Sequence, residues 1–144
     1  MFMYKSLNLL EPMDEVVSVV GNPVKGSGFY GHSTGLHTVA IRVQNFQGRI
    51  SIQASIVNTP SSDADWFTVL PGNVPYIQYP RNPYVIIPPS HGETSIFGFN
   101  FMVNAIWLRA SVNRDYIIPP SSNMTYQKMY ISTFGLVDSI LVNY

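Results

Sequence analysis

Four stretches of this chain alternate apolar and polar residues with period two, the rhythm of a strand with one buried face. In 38–46, Val39, Ile41 and Val43 alternate with Ala40, Arg42 and Gln44. In 49–57, Ile50, Ile52, Ala54 and Ile56 alternate with Ser51, Gln53 and Ser55. Gln47-Gly48 lies between them, so the spacing predicts a hairpin of Thr38–Phe46 with Arg49–Val57. A second hairpin is predicted around Asn104-Ala105. There Phe97, Phe99, Phe101 and Val103 are followed by Ile106, Leu108, Ala110 and Val112, each set alternating with small or polar neighbours. Ile50–Ile56 overlays on Ile106–Val112 residue by residue. Two hairpins with one apolar face each are expected to pack face to face.

Shorter strands are expected at Val16–Val20, Trp66–Leu70 and Tyr84–Ile87, with a terminal pair formed by Lys128–Phe134 and Val137–Tyr144. Gly21–Gly35 reads as a long ordered loop, and the Pro- and Tyr-rich Pro71–Gly92 as an edge, crossover or extended loop. Tyr79-Pro80 and Asn82-Pro83 are candidate cis bonds. No stretch has a convincing helical period. The expected fold is therefore all-β, an antiparallel β-sandwich of jelly-roll-like form in a single domain over 14–144. A chain of 144 residues suits one domain. Met1–Met13 is expected to be an N-terminal arm that reaches a neighbouring subunit.

Composition excludes several functions. There is no Cys, which removes disulfides, zinc–thiolate sites and thiol nucleophiles. The formal net charge is +0, so nothing is basic enough to grip a phosphate backbone, and no nucleic-acid partner is expected. No apolar stretch approaches a membrane span of about 18 residues. The N-terminal run lacks a small-residue cleavage site, so no secretion signal is expected. Charged residues make up 11% of the chain, against about 25% in an ordinary soluble domain. Aromatics reach 13%. A surface so composed resembles interface more than free monomer surface.

The residue inventory offers little chemistry. His32, His37 and His91 have no metal-ligand spacing and read as turn or loop donors. Asp63-Ala64-Asp65 reads as a turn or cap rather than a calcium loop. Gly26-Ser27-Gly28 reads as a turn, and no nucleophile elbow is expected. Asn123-Met124-Thr125 fits a glycosylation pattern by chance. No catalytic residue, metal or cofactor is expected. The candidates left are contact residues: Trp107, Trp66, Tyr76, Tyr79 and Tyr84, with Met1, Phe2 and Tyr4 on the arm. Trp107 alternates with inward Ile106 and Leu108, so it should face outward, under a loop or in a subunit contact.

Several blocks, in order, resemble virion structural proteins of tailed bacteriophages, notably marine contractile-tailed ones. They are Gly35-Leu36-His37-Thr38-Val39 through Asn45-Phe46-Gln47-Gly48-Arg49-Ile50, then Asp65-Trp66-Phe67. Phe99-Asn100-Phe101, Ile106-Trp107-Leu108-Arg109-Ala110 and the closing Gly135 to Tyr144 follow. The resemblance implies a small non-enzymatic β-sandwich on a virion, made in the host cytoplasm. It favours a capsid decoration or cement protein. A tail, neck or baseplate adaptor, or a carbohydrate-binding module, is the alternative. The implied partners are the major capsid protein or tail components and further copies of the chain, with host glycan a lesser expectation.

Overall fold

The computed structural model describes residues 6–10, 18–31, 34–81, 92–117 and 135–144. Every extended element expected within these residues forms. In chain order the strands are β1 (Leu7–Leu10), β2 (Ser18–Val20), β3 (Val24–Lys25), β4 (Leu36–Phe46) and β5 (Gly48–Ser55). After them come β6 (Phe67–Thr68), β7 (Ile77–Tyr79), β8 (Glu93–Met102), β9 (Trp107–Asn113) and β10 (Leu136–Asn143). Helical structure among the described residues is limited to single 3-10 turns, at Ser27–Tyr30, Asp63–Asp65, Pro71–Asn73 and Asp115–Ile117. None of these is long and apolar enough to cross a membrane.

The strands form two antiparallel sheets. The first has the order β1-β10-β4-β8. In the second, β9 and β5 are central, with β2 and β3 both on the outer edge of β9 and β6 and β7 both on the outer edge of β5. With β2–β3 and β6–β7 each taken as one interrupted strand, the pairing is nested. The first strand pairs with the last, the second with the seventh, the third with the sixth and the fourth with the fifth. That nesting is a jelly roll, an antiparallel double ribbon rolled into two facing sheets. The expected all-β sandwich is thus the architecture found.

The two long hairpins differ from expectation. β4 and β5 lie in different sheets, and so do β8 and β9. The chain turns a corner between layers instead of pairing back on itself. At the first corner Asn45 adopts φ 48° and Gly48 φ 156°. A Cβ on Gly48 would stand 2.7 Å from the Phe46 ring and 2.8 Å from Cγ of Arg114. The two segments that overlay in sequence become neighbours, with Ile50 opposite Val112, Ile52 opposite Ala110 and Ala54 opposite Leu108. Alternation assigns each residue a face, but it does not choose the lateral partner.

The inward residues make one core. Val39, Ile41 and Val43 on β4 and Val137, Ile140 and Val142 on β10 lie across from Ile50, Ile52 and Ala54 on β5 and Leu108, Ala110 and Val112 on β9. Each fully buried Val, Leu or Ile among them contributes roughly 1.5–3 kcal/mol. Phe46 and Tyr79 meet edge-on at 5.6 Å within the same core.

The expected arm also requires correction. Leu7–Leu10 pairs antiparallel with β10 and buries Leu9 and Leu10, so this stretch is an edge strand of the sandwich. Its apolar pair drives it into the core of its own chain. The Tyr79-Pro80 bond is cis. Residues 1–5, Tyr84–Ile87, Asn82-Pro83 and Lys128–Phe134 lie outside the described residues. β10 is held by β1 on one edge and β4 on the other, and Tyr144 is anchored by its hydroxyl, which donates to the Lys25 carbonyl at 2.6 Å.

Candidate functional site

The outward aromatics occupy the exposed face of the second sheet. Trp107 does point outward, and the chain's own loops cover it. Its Nε1–H donates to the Asn58 carbonyl at 2.9 Å, and Phe29 lies edge-on at 5.5 Å. Trp66 lies under the Arg109 guanidinium at 4.3 Å. Arg109 is held there by Nε donating to Gln53 Oε1 at 2.8 Å and by a 3.1 Å ion pair with exposed Asp63. Tyr76 stacks against Arg49 at 4.4 Å, and Tyr116 takes the same guanidinium at 4.0 Å. Gln78 joins this cluster, accepting from Arg49 Nε and donating to the Tyr116 hydroxyl, both at 3.2 Å. Each stack fixes an arginine by a cation–π contact.

Tyr79 does not belong among the contact residues. On β7, Ile77 and Tyr79 point inward while Gln78 points out, so alternation buries the ring. It is 1% exposed, and burial pushes its phenol up to about 12. Tyr84, Met1, Phe2 and Tyr4 lie outside the described residues.

His37, Asp65 and Glu93 are each held in the fold by named partners, while His32 and His91 lie outside the described residues. His37 is fully buried on β4 rather than in a loop, stacked on Phe101 at 4.8 Å. Its Nε2 accepts from the Ser27 N–H at 3.2 Å, which places the proton on Nδ1 to donate to the Gly35 carbonyl at 2.9 Å. Burial lowers its pKa, against the opposing pull of the Gly35 bond. Asp65 caps its own 3-10 turn, accepting from the backbone N–H groups of Ser61 and Ser62, which hold its carboxyl below the usual value. Glu93 is held by Arg81 through a 2.7 Å ion pair. Burial alone would raise its pKa, but the bonds from Arg81 and Ser95 bring it down.

Two features stand out among the exposed residues, neither signalled by alternation. The first is one end of the sandwich, where β3, β5, β8 and β10 finish and β4 and β9 begin. Phe29, Tyr30, Leu36, Ile56, Val57 and Met102 are all exposed there, with Ile56 at 62% and Met102 at 74%. Phe29 and Tyr30 meet edge-on at 5.3 Å, and Tyr30 reaches Tyr144. Arg49, Arg81, Glu93, Arg114, Asp115 and Asp138 lie towards the opposite end. The apolar end is not free of charge, since Lys25 lies over the Phe29 ring at 4.5 Å and the Arg109–Asp63 pair sits beside the start of β9. The second feature is strand β8, an edge paired with β4 on one side.

One spacing runs against the expectation of no nucleophile elbow. Gly31-His32-Ser33-Thr34-Gly35 has the Gly-x-Ser-x-Gly pattern. His32 and Ser33 lie outside the described residues, but the flanking context is a 3-10 turn leading into β4. An elbow needs a strand leading into a helix. Among the described residues no group of acidic, His or Cys side chains is placed to hold a metal.

No protein-family model matches this chain, and neither does any curated protein or solved structure.

Proposed function

We propose that this chain is a non-enzymatic structural protein of a virion, working through interfaces with other virion proteins, with capsid decoration or cement as its role. The observation that carries this reading is the apolar end built from Phe29, Tyr30, Leu36, Ile56, Val57 and Met102. A cluster of exposed large apolar side chains on a folded domain marks a contact surface.

The glycan-binding alternative is less well supported. Sugar stacking needs an open aromatic face. Trp66 is capped by Arg109, Tyr76 by Arg49, and Trp107 by Phe29 and the Asn58 loop. A tail or neck position would use the same apolar end with a different partner.

The deciding experiment is to label the protein in intact particles of its source and image the label. Label spread over an icosahedral shell supports decoration. Label at the tail moves the role to an adaptor. Particles without label overturn the virion role.

A further inference from the structure

Sheets expose edges, and unpaired edge backbone is a template for another strand. The jelly roll has one edge at each side of each sheet. Three of the four are short or broken. β1 is 4 residues long. The β2–β3 edge is interrupted at Gly21-Asn22-Pro23, and the β6–β7 edge at the Pro71–Asn73 turn and Pro75. The fourth edge, β8, runs unbroken for 10 residues. Among the described residues its only strand partner is β4. Glu93–Met102 contains no Lys, Arg or Pro, the residues that usually blunt an edge. Its one charge, Glu93, is neutralised by Arg81. Outward on this strand, Ile96 is 60% and Met102 74% exposed.

We infer that β8 pairs antiparallel with β8 of a second copy, about a two-fold axis at Phe99, joining the two first sheets into one. The inference rests on the assembly reading above and names its partner. Self-complementarity favours a second copy over any other strand. A two-fold at Phe99 sets Ile96 opposite Met102 of the other chain, Phe97 opposite Phe101, and Gly98 opposite Asn100. Apolar residues meet apolar residues at the 96/102 and 97/101 pairs, one on each face, and Glu93 lies beyond the paired span, so no like charges face each other. An edge without free charge has nothing with which to select a charged partner.

Sedimentation equilibrium on the full chain tests this. The wild type should be a dimer. Ile96→Lys with Met102→Lys sets lysine against lysine twice across the axis and should weaken association at least about tenfold. Ile96→Lys with Met102→Glu sets opposite charges in the same places and should restore the dimer. Both sites are well exposed, so the variants should melt close to wild type. Should either variant fail to fold, hydrogen exchange of wild-type β8 decides, with protection expected to fall on dilution. A monomeric wild type, a trimer, β8 protection independent of concentration, or a dimer indifferent to both charge patterns would each overturn the pairing. A monomer that still labels particles sinks the pairing alone, and a dimer absent from particles sinks the virion role alone.

Discussion

At the scale of single residues, two buried polar groups carry the sharpest expectations. His37 is neutral in the fold, with both ring nitrogens occupied. Its pKa lies below the ordinary 6.5 in the folded state, so the unfolded chain takes up a proton first. Its share of stability is present above pH 6.5 and is lost as pH falls through the lowered folded value. Urea melts at pH 7.5 and 5.5 should show a lower midpoint at the acidic pH, and His37→Gln should flatten that difference. The depressed carboxyls of Asp65 and Glu93 act in a lower window, losing their contribution only as pH drops through the carboxylate range. Tyr79 offers a test of opposite sign. Its buried hydroxyl has no hydrogen-bond partner among the described residues, so Tyr79→Phe should raise stability by up to roughly 1 kcal/mol. With a phenol raised from 10.0 to about 12, the wild type should also lose stability as pH climbs between those values, and the variant should lose less.

At the scale of elements, the alternating residues were enough to locate β4, β5, β8 and β9, because burial of one face leaves a period of two in any sheet. They were not enough to say that consecutive strands part at a corner. Asn45 and Gly48 make that corner, and Gln47-Gly48 reads equally well as a tight turn. Leu7–Leu10 is legible in the sequence as part of an apolar N-terminal run, which fits an arm as well as a strand. It became a strand because β10 offers it an edge. Deleting residues 1–10 should therefore unfold the protein more than it weakens any attachment. Loss of Leu9 and Leu10 from the core should cost about 3–6 kcal/mol, visible as a fall in the urea midpoint. A midpoint unchanged from wild type would mean β1 adds nothing to the sheet.

At the scale of the whole molecule, the exposed apolar side chains gathered at one end of the sandwich argue for a contact there. Phe29→Ser with Tyr30→Ser should reduce binding to particles at least tenfold, on the order expected for losing aromatic anchors. The melting temperature should move only a few degrees, since Phe29 and Tyr30 are 43% and 56% exposed and lie outside the core. Equal loss of folding and binding would assign these rings to the core instead. The aromatic wealth of the chain was plain in its composition, but which rings face solvent was not. Tyr79 and Tyr76 are three residues apart, yet one is sealed in the core and the other stacks on Arg49.

What the amino-acid sequence by itself determined was the material of the fold: strands, their inward and outward faces, a scarcity of charge and the absence of any thiol. These follow from local rules, since burial imposes a period and composition limits reactivity. Only the tertiary structure decided the partners. It split each expected hairpin across two sheets, drew Leu7–Leu10 onto β10, and left β8 paired along one side among the described strands. Those choices depend on hydrogen bonds between residues far apart in the chain, such as Leu7 with Val142, and neither periodicity nor composition carries a record of which distant strand will come to lie alongside.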